Sequence, residues 1–205
     1  IDMPAGPSEV LVIADESCNP SFVAADLLSQ AEHGPDSQVM LVTDSKKTIK
    51  EILKEIDLQI ALLPRQDIAA QALKNSRAIL LNNLDECLAF SNLYAPEHLI
   101  LAIENSAEWA KKVINAGSVF LGRYSCESLG DYASGTNHTL PTSGFAKAYS
   151  GVSLDSFVKK ITFQHVTEQG ICEIGPAVET MAEAEQLLAH KNAVTLRLKE
   201  TLSKS

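Results

Sequence analysis

Four pairs of side chains in this sequence are of the types that perform chemistry. The stretch Leu27-Leu28-Ser29-Gln30-Ala31-Glu32-His33-Gly34-Pro35-Asp36 reads as the last turns of a helix stopped by Gly34 and Pro35, since glycine tolerates a left-handed cap and proline cannot continue the ladder. Three residues apart, Gln30 and His33 then share one face and aim an amide oxygen and an imidazole nitrogen the same way. They are either half of a metal site or a polar helix end that meets only water. Glu97-His98, after Pro96, sets an acid beside a base just before a strand, where α/β proteins build sites. The alternative is two exposed polar residues in a loop. Gly130 to His138 adds the carboxylate of Asp131 and a further imidazole, unless Asp131 and Asn137 only bond their own backbone in a turn. Glu185 and His190 stand five apart, which at about 100° per residue separates them by roughly 140° on an unbroken helix. A ligand shared by both requires that helix to bend or end between them. His165 has no evident partner and reads as structural. Together Gln30, His33, Asp131 and His190 could supply two imidazoles, a carboxylate and an amide. Such an N/O set suits Zn²⁺, with Mn²⁺ or Co²⁺ as alternatives.

These residues need elements to hold them. After a turn-rich opening, Ile1 to Ser8, the run Glu9 to Asp15 is apolar and β-branched, hence a buried strand. Asn19-Pro20 opens a helix, Asn as cap and Pro as first helical residue. Val39 to Thr43, Ala78 to Leu81, Leu99 to Ile103 and Ser118 to Leu121 read as further strands. Between them come helices capped by Asp44 or Ser45, starting near Asp67, and spanning Leu84 to Leu93 and Ala107 to Ile114. Continuous apolar strands alternating with amphipathic helices predict a mostly parallel sheet covered on both faces, an incomplete Rossmann-like α/β domain over residues 1–152. From Gly122 to Val152 the pattern stops, and a structureless loop of that length is usually functional. The region 153–205 is a small, mainly helical tail, with helices at Ala177 to Leu188 and Ala193 to Leu202. It must dock its apolar side on something.

Composition narrows the partners. The net charge is -9, without a Lys/Arg cluster or interleaved aromatics, which excludes a nucleic-acid or anionic-membrane surface as the expected role. Four scattered cysteines, Cys18, Cys87, Cys126 and Cys172, form no C-x-x-C pair, so a reducing, cytoplasmic setting is expected. No apolar run approaches the ~20 residues of a membrane span, and no signal peptide is evident. No G-x-G-x-x-G fingerprint occurs, so nothing in the spacing predicts NAD. The chain opens at Ile1 rather than Met, which reads as a piece of something longer.

Five stretches, Ile1 to Val10, Leu28 to Asp36, Asn92 to Leu99, Gly117 to Gly122 and Leu129 to Thr142, closely resemble histidinol dehydrogenase, in the same order over essentially the whole chain. The resemblance implies oxidation of L-histidinol through histidinal to L-histidine with reduction of two NAD⁺. It implies Gln30, His33, Asp131 and His190 as zinc ligands, with the substrate completing the shell, and Glu97 and His98 as the acid/base pair. His98 would take the alcohol proton and Glu97 would activate the water of the second half-reaction. Ser8, His138 and Glu185, with His98 and the four zinc ligands, would touch the substrate. The family is a homodimer in which one subunit's tail completes the other's site. Its chain is about twice as long, and the missing N-terminal half holds most NAD contacts, so this chain by itself could be inactive. The sequence departs from the family at Gln186, where glycine is usual, and at Cys126, where proline is usual. Two other readings accommodate the same residues: a non-redox zinc hydrolase with Glu97 as base on a metal-bound water, and a non-catalytic fragment that binds zinc and ligand.

Overall fold

Five short apolar runs form one parallel sheet. In the computed structural model, which describes residues 4–203, β1 (Glu9–Ala14) pairs with β2 (Gln38–Thr43) on one side and β4 (His98–Ala102) on the other. Strands β3 (Arg77–Leu80) and β5 (Ser118–Leu121) complete the order β3-β2-β1-β4-β5. Ile1, Asp2 and Met3 of the turn-rich opening lie outside the described residues. Alternation along the strands sorts side chains to two faces. Val10, Val12, Leu41, Ile100 and Phe120 pack with Val23 and Leu27 of α1 (Pro20–Ala31), Ile52 of α2 (Lys46–Ile60) and Ala69 and Ala72 of α3 (Gln66–Lys74). Leu11, Ile13, Val42, Leu99 and Leu101 pack with Cys87 and Leu88 of α4 (Leu84–Tyr94) and Trp109 of α5 (Ser106–Ala110). Each fully buried Leu or Ile contributes roughly 1.5–3 kcal/mol, so the two clusters hold the layers together. The doubly covered parallel sheet expected from the alternation is the fold found.

Local chemistry sets the helix starts. The Asn19 side chain accepts from Ser21 N–H with Pro20 as first helical residue, and Ser45 accepts from Thr48 N–H, as their residue types predict. The ends differ from expectation in places. Helix α1 stops at Ala31 with Glu32 in a right-handed conformation, and Gly34 is absent from the positive-φ residues, so no glycine cap ends it. His33 therefore lies in the turn after the helix, its N–H bonded to the Gln30 carbonyl. The helix expected over Ala107 to Ile114 is only the five residues of α5. The stretch 122–152 is not structureless, since it contains the short helix α6 (Glu127–Tyr132) and a 3-10 turn over Phe145–Lys147. Gly130 in the middle of α6 weakens any periodic signal there.

The first compact unit ends at Val158 and the second begins at Lys159; the expected boundary at 152 lies just before a 3-10 turn, Leu154–Phe157, of the first. Within the second unit, α7 (Glu168–Ala184), capped by Thr167, packs on α8 (Leu188–Ser203). The two helices part at Gln186, so the helix expected over Ala177 to Leu188 instead starts earlier, at Glu168, and stops at Ala184. Gln186 N–H bonds the Glu183 carbonyl and Leu187 N–H bonds Ala182, the paired bonds of a Schellman turn. Gln186 takes φ +61° there, a conformation that costs a side-chain-bearing residue about 1 kcal/mol. The expected result of Gln186→Gly is a gain of about 0.5–1 kcal/mol in stability, measured by urea unfolding at unchanged m-value.

Candidate active site

The site is assembled at the amino ends of the central strands. Helix α4 ends on Ala95 in the left-handed region, φ +59°, and Pro96 prevents its continuation. The chain reverses and delivers Glu97 and His98 to the start of β4. The turn is pinned to β5, because Gly117 N–H bonds the Pro96 carbonyl at 2.9 Å and Ser118 N–H bonds Glu97 at 2.9 Å. A Cβ at Gly117 would lie 2.5 Å from the Glu97 carbonyl oxygen, so this approach needs glycine. Open α/β sheets usually bind ligands beyond the carboxyl ends of their strands. Here the polar cluster lies at the opposite edge, and the expectation that a position before a strand is a customary site for this fold is corrected.

Strand alternation turns His98 to the face carrying Ile100 and α1. The ring is 4 % exposed. Its Nδ1 lies 3.0 Å from the Glu9 carbonyl oxygen, which can only accept, so Nδ1 carries a proton and, whenever the ring is neutral, Nε2 holds the lone pair. That Nε2 is buried without a hydrogen-bond partner and lies 3.9 Å from Asp131 Oδ1, beyond bonding distance. An orphaned basic nitrogen of this kind calls for a ligand. Phe120 flanks the ring with centroids 5.9 Å apart. Burial alone would lower the His98 pKa, but hydrogen bonding to Glu97 and the charges of Glu127 and Glu97 outweigh it and raise it to about 9. A neutral ring with a free Nε2 lone pair therefore needs positive charge beside it, such as a divalent cation, to offset those acids.

Glu97 stands on the Nδ1 side. Its Oε2 accepts from Glu9 N–H at 2.8 Å and lies 3.5 Å from His98 Nδ1. Glu9, half of this arrangement, also accepts from Ser143 N–H at 2.9 Å, and its own carboxyl is pushed up by burial.

On the Nε2 side, His33, Glu127 and Asp131 place one ligand atom each within 4.8 Å of one another, the one such group of His, Cys, Asp and Glu among the described residues. Glu127 is 2 % exposed and Gln30 0 %. Burial, with the Asp131 charge adding and His98 opposing, pushes the Glu127 carboxyl up to about 8. The cluster is short of positive charge, and its imidazole, carboxylates and neighbouring amide are donors that a divalent cation takes. The residues present therefore fit a zinc ion.

Of the sequence candidates, Gln30, His33, His98 and Asp131 are brought together in this unit. Ser8 is half-buried immediately before β1, and His138 is exposed in the loop after α6. Glu185 and His190 belong to the second unit, Glu185 as the α7 cap and His190 in the first turn of α8. Two acids escaped the sequence reading. Glu9 was hidden at the head of an apolar strand. Glu127 was hidden because its relation to Asp131, four residues on, has meaning only once α6 is known to be helical.

A half-buried acid on α1 bears on stability. Asp26 lies on α1 one turn before Gln30, and burial raises its pKa to about 7. A folded-state pKa raised above the unfolded value means that the folded state favours the neutral acid. Its contribution is complete below about pH 4 and is lost as pH rises through about 7. Asp26→Asn is expected to raise Tm by about 2–5 °C at alkaline pH and to leave it unchanged near pH 4, a difference that paired thermal melts report.

Comparison with known proteins follows the same pattern. The model of the histidinol dehydrogenase family matches residues 1–198. The chain is 66% identical over 198 residues to histidinol dehydrogenase of Bacteroides thetaiotaomicron, covering 97% of this chain and 46% of that one. It is 57% identical over 205 residues to the chloroplastic histidinol dehydrogenase of Arabidopsis thaliana, 100% of this chain and 44% of the relative. The crystal structure of histidinol dehydrogenase from Elizabethkingia anophelis superposes with a TM-score of 0.92 at 66% identity, over 97% of this chain and 46% of that chain. The chain thus spans about half the length of these relatives. By its sequence and by its fold, this chain belongs to the histidinol dehydrogenase family.

Proposed function

We propose that this chain forms the zinc- and substrate-holding half of an NAD-linked dehydrogenase that oxidises L-histidinol through histidinal to L-histidine. One observation carries the reading: the unpartnered Nε2 of buried His98 faces a cation-type donor cluster. Gln30, His33 and Asp131 would hold the metal, with His190 supplied by the tail of a second copy, as the family resemblance implies. Zinc held there would supply a fixed positive charge to anchor the substrate. His98 removes the hydroxyl proton through Nε2 while the Glu9 carbonyl steadies Nδ1–H, which keeps the base in one tautomer. Glu97, held by Glu9 N–H, acts as base toward the water that attacks the aldehyde. Ser8, His138 and Glu185 contact the substrate. The β1–α1 turn, Asp15 to Asn19, has no glycine and carries Asp15 and Glu16, so it does not fit a dinucleotide pyrophosphate. We assign the hydride acceptor's site to residues outside this chain.

The second unit exposes Ile174, Met181, Leu188 and Leu196, apolar area that supports a homodimer in which the tail docks on a second copy. No described helix is long and apolar enough to cross a membrane, and the acidic balance offers nucleic acid no footing.

Two measurements test the reading. Calorimetry of this chain with Zn²⁺ and then L-histidinol is expected to show metal binding followed by metal-dependent ligand binding. The protein at the family's full length is expected to form two NADH per histidinol consumed. Bound zinc with histidinol left unoxidised by the full-length protein overturns it.

A further inference from the structure

The reading above leaves the most deeply buried acid of the cluster without a role. Glu127 opens α6 and points into the same space as His33 and Asp131. Its neighbour there is Gln30, the one amide of the ligand set. In the amide orientation that satisfies both of its ends, the Gln30 nitrogen donates to Glu127 Oε1 at 2.6 Å and to Oε2 at 3.1 Å. The opposite orientation would set the amide oxygen against a carboxylate and the nitrogen against donors. Both side chains are sealed from solvent, so no water substitutes for this contact.

An amide makes a poor ligand unless something chooses which end faces the cation. Its oxygen is attracted and its NH₂ repelled, and the two ends are nearly the same size. A carboxylate on the far side makes that choice by taking the nitrogen. We propose that Glu127 is a positioning residue of the metal site, one that holds the Gln30 amide by its nitrogen and so presents the amide oxygen to the cation. The inference rests on the zinc reading of the site and assigns Glu127 a place behind the ligands rather than among them. Both of its oxygens face the Gln30 nitrogen, and the Gln30→Ala background of the test separates this role from direct ligation.

The test is a double-mutant cycle on Zn²⁺ affinity, read by calorimetry, with the absorption of bound Co²⁺ as a second readout. Glu127→Ala is expected to weaken zinc about 10- to 100-fold, the size of effect seen when a ligand loses its orienting partner. Glu127→Gln, which keeps an acceptor oxygen for the Gln30 nitrogen, is expected to stay within about threefold of the parent and to preserve its Co²⁺ spectrum. In a Gln30→Ala background, Glu127→Ala is expected to add nothing. A Glu127→Gln protein as weak as Glu127→Ala overturns the proposal. So does an additive loss in the Gln30→Ala background, the mark of a direct ligand. A parent protein that binds no zinc overturns the zinc reading itself and this inference with it, and that failure is visible before any variant is made.

Discussion

His98→Asn is expected to lower histidinol oxidation by the full-length protein about 10²- to 10⁴-fold while leaving zinc affinity and stability close to the parent. Asparagine places its amide nitrogen where Nδ1 stands, so the donor to the Glu9 carbonyl, 3.0 Å away in the parent, is retained. The variant has no atom in the place of Nε2. Since that nitrogen is the one without a hydrogen-bond partner, its removal deprives no protein group of a bond, and the structural cost is confined to the ring edge lost beside Phe120 and the new amide oxygen. The predicted loss therefore falls on proton removal, the step assigned to it. His98→Gln makes the complementary cut, keeping a polar atom near Nε2 and deleting the bond to Glu9. Parallel steady-state kinetics and zinc titrations separate the two. If His98→Asn turns over within tenfold of the parent, the base is another group and the assignment fails.

How legible was this arrangement in the chain? The sheet was, because its signal is local: buried parallel strands read as continuous apolar runs, and Ser118 to Leu121 is both the run and the strand. Asn19-Pro20 and Ser45 announced their helices for the same reason, since a cap is chemistry within three residues. Ends were less legible. Gly34 carries the composition of a cap, yet α1 ends three residues earlier, because the turn that brings His33 beside Asp131 is set by tertiary contacts. The acid/base pair was visible as Glu97-His98, but adjacency hid that the two side chains serve different sides. Glu97 meets Glu9 N–H on the Nδ1 side of the ring, 3.5 Å from that nitrogen, whereas His98 Nε2 faces Asp131. Glu127 was illegible because six helical residues around a glycine carry no period, and its partner Gln30 is nearly a hundred positions away.

Gly130→Ala is expected to cost the fold about 1–2 kcal/mol and to weaken zinc at least tenfold, although alanine is the better helix former. Two effects oppose one another. In α6 the substitution gains about 1 kcal/mol of helix propensity. Against it, the new Cβ would lie 2.6 Å from Phe120 Cε1 and 2.8 Å from Cζ, separations that no relaxed methyl group tolerates, and a tight 3.1 Å from Thr136 Oγ1. Phe120 cannot retreat freely, being 7 % exposed in the cluster between the sheet and α1. Overpacking of this kind costs up to about 3 kcal/mol, so the steric term wins. The relief available is for α6 to lift from the sheet. Lifting it carries Glu127 and Asp131 together away from His33 and shifts the Phe120 ring beside His98, so metal affinity falls with stability. Phe120→Leu in the same chain removes the ring edge that the methyl strikes and is expected to return most of the zinc affinity, though not the packing that the ring supplied. Thermal melts and zinc titrations on the single and double variants check both halves of the argument. Undiminished zinc binding by Gly130→Ala would show that α6 does not set the position of the metal-side carboxylates.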